Sequence, residues 1–465
     1  MDHRLVNGLR RQLIRGLGGM AALGSLTSLS AVTGVGSHGR TGADADTGAG
    51  AGTGAQTRHV SIEAGWPTPR LAATWLQGTR HHVGLLKPEA GGMRVLKAVA
   101  LPSRAHAVIP QPDGRVLVVA RRPGDWMMRV DFSGRHAPQW CWSDGSTCFN
   151  GHVIATTDGK RLLASETDLD TGEGLLGVYA ADTLELIERW PVAGIDPHQM
   201  IEGRDGALWV AVGGIEIRRE TGRLKYGLDR MDSFLARLDP ISGEIRQRWH
   251  LPDKRLGLRH LAETADGRIG IALQAEHADP EARQRAPVLA VLDPREGIQT
   301  IELPQGVACA GYGGSIAGAG SRLFVSCPRV GRVMQWDGSR FSGDARAGWL
   351  SPIRLNEACP LAVQTLQASG EEEQGASPRS SSSLLSPPLR PLQPMSPSQP
   401  LSSPSPAGHV GNAPRQRIWA GGLGAVVAET GHATPSSAKP QRPQRIAHPL
   451  ATDFRLDNHW SVMPS

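Results

Sequence analysis

The chain has 465 residues, 39% hydrophobic and 20% charged, with 57 Gly, 34 Pro, 12 Trp and 5 Cys, a length that buries a large core and excludes a mini-protein or a scaffold held by disulfides alone. Beyond the first forty residues no stretch approaches the roughly 20 consecutive apolar residues of a spanning helix, which excludes a multi-pass membrane protein. The formal charge is +6, but five arginines against two aspartates fall in residues 1–45, and the near balance that remains makes no electrostatic case for nucleic acid.

Residues 1–45 read as an export signal. Arg10-Arg11-Gln12-Leu13-Ile14-Arg15 leads a mildly apolar stretch from Gly16 to Val35, and Ala43-Asp44-Ala45 offers a small-residue cut, with Ala49-Gly50-Ala51 an equal alternative. Paired arginines before a weakly hydrophobic core resemble a bacterial twin-arginine signal, so the mature chain is expected in the periplasm with no stable membrane span. Residues 46–65 are expected to form a flexible Gly/Ala/Thr linker, and a single folded domain is expected over 66–465.

From Leu71 to Trp349, short runs of Val, Ile, Leu and Trp are broken every eight to twelve residues by Asp-Gly, Asp-Pro or Gly-containing turns, which predicts an all-β chain. Four times a histidine is followed by an Asp-Gly pair and a compact apolar run: His106 with Asp113-Gly114, His152 with Asp158-Gly159, His198 with Asp205-Gly206, and His260 with Asp266-Gly267. Each unit reads as strand, Asp-Gly hairpin and strand, with third and fourth strands such as Phe234–Leu238 and Gly243–Trp249 behind it. The histidines stand 46, 46 and 62 residues apart. A four-strand unit at that period is expected to be a propeller blade, because one twisted meander buries neither face until neighbours pack on it.

Weaker units at Tyr312-Gly313-Gly314-Ser315 and Cys359-Pro360-Leu361-Ala362, with the two chain ends sharing a blade through Leu71–Trp75 and Asp457-Asn458-His459-Trp460, predict a seven-bladed β-propeller of four-stranded antiparallel blades. Residues 377–406 hold 11 Ser and 9 Pro, too few apolar side chains for a core and too many prolines for strands. They are expected to form a disordered insertion, about 368–416, in the hairpin of the sixth blade.

First strands of blades line the central channel, so residues at one phase converge there. His106, His152, His198, His260 and His459 are thereby candidate metal ligands, since imidazoles from several strands suit Fe, Cu or Zn. The competing reading is structural, with each histidine hydrogen-bonded to a neighbouring strand or a turn aspartate. Arg121, Arg122 and Arg259 are candidates for an anionic substrate or haem propionates. Glu166 and Asp168, in an acidic loop without EF-hand spacing, join Tyr312, Ser315 and Asn458 as candidate polar groups of the channel mouth. Cys141 and Cys148 flank a turn-rich segment that would close a hairpin disulfide in an oxidising compartment, and the odd count leaves at least one thiol free or paired between chains. Trp336-Asp337 occurs once, which does not support the Trp-Asp repeat class. No GxSxG, HExxH, phosphate-loop or CxxCH motif names a reaction.

Gly151-His152, Glu166–Tyr179, Asp196-Pro197-His198-Gln199, Gly213-Gly214-Ile215, Leu258-Arg259-His260-Leu261, Tyr312–Ser315 and Asn458-His459-Trp460 together resemble a family of twin-arginine-exported bacterial proteins of unknown function. The resemblance covers about Arg70 to Trp349 plus the closing segment. It implies a seven-bladed propeller similar in architecture to the quinoprotein amine dehydrogenase β-chain class. It also implies an association with imelysin-type periplasmic iron-uptake proteins and di-haem peroxidase-like proteins, which are the expected partners. The family usually has Glu where Gln199 follows His198, which removes a charged ligand or base at that blade, and the Ser/Pro insertion is an addition. The expected function is a periplasmic binding or accessory protein in iron acquisition, holding iron, copper or haem at the histidine-bearing mouth. The alternatives are a lactonase-like hydrolase or quinoprotein-like oxidoreductase with His198 or His260 as base, and a pure protein-protein scaffold.

Overall fold

In the four Asp-Gly turns Gly114, Gly159, Gly206 and Gly267 take φ of 83°, 67°, 75° and 83°, a left-handed conformation open to a residue without Cβ, and each turn joins two antiparallel strands. The computed structural model describes residues 66–89, 92–221, 224–341, 343–344, 346–366, 415–422, 425–431, 445–450 and 454–464. The expected signal and linker lie outside the described residues, as does most of the expected Ser/Pro insertion. Among the described residues no helix is long and apolar enough to cross a membrane.

Seven four-stranded antiparallel sheets form a seven-bladed β-propeller. Numbered from the first histidine, the inner strands are Ala105–Pro110, Thr147–Ala155, Pro197–Glu202, Leu256–Glu263, Ser315–Ala319, Leu361–Leu366 and Phe454–Val462. In blade 7 the C-terminal strand Phe454–Val462 pairs with Leu71–Gln77, followed outward by Arg80–Glu89 and Gly92–Leu101, so the two ends of the described chain close the ring as expected. In blade 6 the second strand starts at Arg415, slightly inside the expected insertion.

The core is divided among the blade interfaces. Seven apolar clusters, one at each junction, run around the ring. The run Val116–Ala120 shows why: Val116, Val118 and Ala120 pack toward blade 7, while Leu117 and Val119 pack toward blade 2. Successive strand side chains point to opposite faces, and both faces are dry, so the run is continuously apolar.

The one irregular histidine spacing has a structural cause. From the start of the second strand to the end of the third, blade 2 spends 20 residues (161–180) and blade 3 spends 31 (208–238), which accounts for most of the difference between spacings of 46 and 62. The extra chain carries a small hairpin, Glu216–Ile217 paired with Lys225–Tyr226.

Trp460 on the closing strand is 3% exposed within the cluster joining blades 6 and 7. Trp460→Ala is expected to cost about 3–5 kcal/mol, whereas Leu224→Ala, at a position 61% exposed, stays within about 0.5 kcal/mol. Urea unfolding of both variants checks the contrast.

Candidate functional site

Every histidine-bearing inner strand departs from regular pairing at or beside its histidine. In blade 1, Ala105 faces Ala120 and Val108 faces Val118, so His106 and Ala107 stand opposite Val119 alone. In blade 2, Asn150, Gly151 and His152 oppose Ser165. In blade 3, His198 and Gln199 oppose Ala211. In blade 4 the extra residue is Arg259, next to His260, and in blade 7 Asp457, Asn458 and His459 oppose Thr74. The inner strands of blades 5 and 6, which have no histidine, pair without a shift.

A bulge releases a side chain from strict alternation and re-aims it. Thus Ala105 and Val108 still pack toward blade 7 and Ala107 toward blade 2, while His106 turns to the axis. Gly151 makes room for it: φ there is 99°, and a Cβ would meet the His106 ring at 2.7 Å.

The five imidazoles form one cluster. In the order His106, His152, His198, His260, His459 and back to His106, neighbouring ring centroids lie 4.7, 4.6, 4.7, 4.8 and 4.6 Å apart. Nε2 of His260 is 3.2 Å from Nε2 of His198 and 3.2 Å from Nε2 of His459. One ring nitrogen from each of His106, His152, His260 and His459 falls within a 4.8 Å span. Both nitrogens of His106, Nε2 of His152 and Nδ1 of His198 and His260 are buried without a hydrogen-bond partner.

The structural reading expected those nitrogens to bond neighbouring strands or turn aspartates. Instead Asp113 and Asp266 accept from Arg115 and Arg268, Asp158 from Thr156 and Asp205 from Ala207 and Arg237, all away from the axis. Burial is the main force on the imidazoles. It holds His106, His152, His198 and His260 well below the usual histidine value, with the other rings and nearby arginines adding to the effect. Burial and the charge of Arg121 hold His459 down to about 4. All five are neutral at pH 7, the state that ligates a metal.

A cavity of about 220 Å³ lies against the cluster, walled by His106, His198 and His260 and by Arg121, Arg122, Arg259, Tyr312, Lys225, Gln274 and Arg329. Asp196 sits behind this wall, pairing with Arg122 and, at 2.6 Å, with Arg259. Burial and the charge of Arg122 lower the Arg259 guanidinium to about 10. Asp196 takes a φ of 60°, and a Cβ on Gly213 would meet its Oδ2 at 2.6 Å. Glu276 accepts in the same way from Lys225 and Gln274.

Of the expected mouth residues, Arg121, Arg122, Arg259 and Tyr312 therefore line the cavity, and the Arg329 guanidinium lies 4.6 Å over the Tyr312 ring. Glu166 does not: it is fully buried on the second strand of blade 2, accepting from the Tyr179 hydroxyl and from Arg189 at 2.9 Å. Asp168 caps a local turn by accepting from the N–H groups of Asp170 and Thr171 at 2.9 and 2.8 Å. Ser315 is buried at the start of its inner strand and is not among the cavity-lining residues. The side chain of Asn458 lies outside the described residues.

Cys141 and Cys148 carry thiols and no disulfide joins them. The segment between them is no hairpin, because Cys141 ends blade 1 on its outer strand and Cys148 begins blade 2 on its inner strand. Gln199 is not a depleted ligand either. Its Oε1 accepts the Leu261 N–H at 2.8 Å, tying blade 3 to blade 4. Asp196, Lys225, Gln274 and Arg329 were absent from the sequence-derived set. The signal for Lys225 was the 62-residue spacing, since the hairpin that causes it delivers this residue.

The profile of DUF1513, described as a protein of unknown function, matches residues 99–382, a span that covers more than half of the chain and four of the five histidines. The chain belongs to the DUF1513 family. No curated protein matches this DUF1513 chain. Among solved structures it is similar to a periplasmic gluconolactonase, PpgL, of Pseudomonas aeruginosa, at 17% identity over 60% of this chain and 79% of that one, with a TM-score of 0.42. It is also similar to the Cps50 (Swd1) β-propeller domain of Myceliophteria thermophila, at 16% over 57% and 79% with a TM-score of 0.40. A PQQ-bound aldose sugar dehydrogenase of Streptomyces coelicolor matches at 16% over 59% and 90%, TM-score 0.34. At this distance the propeller assignment of the DUF1513 chain rests on its own seven sheets.

Two measurements test the cluster. Unfolded histidine titrates at its ordinary 6.5 while the buried rings do not, so below that pH the unfolded chain binds the more protons. Stability of metal-free protein is then expected to fall as pH drops below 6.5, by about 1.4 kcal/mol per pH unit per histidine, with the share of His459 ending near pH 4. Urea midpoints that stay level from pH 7.5 to pH 5 would contradict this burial. Gly151→Ala is expected to displace His106 and destabilise by about 1–3 kcal/mol; Gly145→Ala, with nothing within 4 Å of its Cβ, controls for the backbone term alone.

Proposed function

We propose that this protein is a periplasmic metal-binding propeller, an accessory component of iron or copper acquisition, that holds one transition-metal ion on the axial histidines. One observation carries the reading: five neutral imidazoles, four of them buried, are gathered by five strand bulges, and His106, His152, His198 and His260 each keep at least one buried nitrogen without a hydrogen-bond partner. A buried polar atom without a partner costs about 1–3 kcal/mol, and a metal ion is the partner that several converging lone pairs share. Metal–imidazole bonds of about 2.0–2.1 Å put tetrahedral ligand atoms about 3.3 Å apart; the two separations at His260 Nε2 are 3.2 Å, and the nitrogens of His106, His152, His260 and His459 lie within a 4.8 Å span that closes onto an ion by small ring movements. A set of imidazoles with no thiolate suits Fe, Cu, Zn or Ni over Ca or Mg.

A bare ion fits better than haem. The cavity beside the cluster, about 220 Å³, is below the roughly 300 Å³ at which pockets begin to enclose drug-sized ligands. The paired arginines of residues 10–15 support export, and the iron role draws on the family resemblance together with this donor set. Binding, more than turnover, follows from the arrangement, because imidazoles committed to a metal ion are ligands and not bases.

Elemental analysis of protein exported natively and purified without chelators or affinity metals is expected to find close to one Fe, Cu or Zn per chain. His198→Ala combined with His260→Ala is expected to lose it while the far-ultraviolet circular dichroism of the propeller is kept. Unchanged metal content in that double variant, or wild-type protein that carries no metal and takes up none when Fe or Cu is added, would reject the site.

A further inference from the structure

The cavity beside the histidines is more than a way in. None of the described residues that line it is acidic, and five are cationic: Arg121, Arg122, Lys225, Arg259 and Arg329. Two carboxylates behind this wall are already committed. Asp196 holds Arg122 and Arg259, and Glu276 holds Lys225 together with the Gln274 amide. Each carboxylate therefore fixes two donors in place, so that the wall is preorganised before anything enters. Five cationic side chains thus line the cavity with these two acids behind them, and a divalent ion on neutral imidazoles would add two positive charges beside them. Like charges at such distances repel strongly, and the neutral histidines compensate none of it.

We infer that the cavity takes a small, multiply charged oxyanion, a dicarboxylate or a phosphate, which rests on the arginine and lysine wall and completes the coordination of the metal ion. This deepens the metal-binding reading and rests on it. Size sets the class. The space of about 220 Å³ is below the roughly 300 Å³ at which pockets begin to enclose drug-sized ligands, which favours one compact anion over a nucleotide or a macrocycle. The geometry sets the contact: His106, His198 and His260 form one wall of the same cavity, so an anion in it has the metal on one side and forked guanidinium donors on the other. Lys225 reaches the cavity only because the blade 3 hairpin carries it there.

The test uses the full chain loaded with Cu(II), titrated at pH 7 with malonate, with inorganic phosphate and with neutral malonamide, and read by visible absorption and electron paramagnetic resonance. Malonate or phosphate is expected to shift the copper spectrum saturably at one equivalent per chain, and malonamide is not. Whichever anion binds more tightly identifies the carboxylate or the tetrahedral form. Lys225→Gln and Arg329→Gln are each expected to weaken the anion about tenfold or more. The Arg329 site is exposed, so that variant keeps the fold if the first does not. Copper that loads normally but ignores both anions, responds equally to malonamide, or responds unchanged in both variants overturns this inference and leaves the metal reading intact. Copper that loads only when the anion is present supports it. Copper that fails to load with or without anion overturns the metal reading and this inference with it.

Discussion

Each blade of this propeller is apolar on both faces, and no sheet can bury two faces against one neighbour. Val116–Ala120 is buried on both sides because blade 7 lies on one and blade 2 on the other, and the same holds around the ring for seven separate clusters. Burial at about 25 cal/mol per Å² therefore comes fully only when the circle closes. The closing contact is the strand Phe454–Val462 on Leu71–Gln77, which ties the stability of every interface to the last described strand. The axial cluster inherits this dependence, because His459 stands on that strand.

The second constraint acts at the axis, where seven strand starts crowd together. Ordinary alternation would send each inner-strand side chain into a blade interface. Bulges at five of the seven inner strands break it, and in blade 4 the added residue is Arg259, which swings out to meet Asp196. The bulges thus build both halves of the site, the imidazole cluster and part of the cationic wall. His106, His152, His198 and His260 all carry buried nitrogens without a hydrogen-bond partner, and such a cost, concentrated at one point of the axis, persists where it has a use.

Much of this was legible along the chain. The histidine to Asp-Gly period, the apolar run after each turn, and the matching ends Leu71–Trp75 and Asp457–Trp460 identify blades because local turn chemistry and two-sided burial leave a direct mark on residue type. The shared phase of His106, His152, His198, His260 and His459 was readable for the same reason. What failed was pairing across elements. Glu166 looked like a mouth residue beside Asp168, yet its partners Tyr179 and Arg189 lie on the next two strands outward. Cys141 and Cys148 looked like a hairpin pair, yet they stand at the end of one blade and the start of the next.

The sequence by itself determined the all-β class, the repeat, the ring closure and the histidines at a common phase, because these depend on spacing and on local turn and strand preferences. Only the tertiary structure decided that the histidine nitrogens meet each other and not the turn aspartates, that Asp196 and Glu276 stand behind a cationic wall, and that the long blade 3 connection carries Lys225 to the same cavity. Those facts depend on bulges that change the direction of single side chains and on contacts between residues tens to hundreds of positions apart. Neither leaves a periodic mark on the residues concerned, so neither is written in the order of the chain.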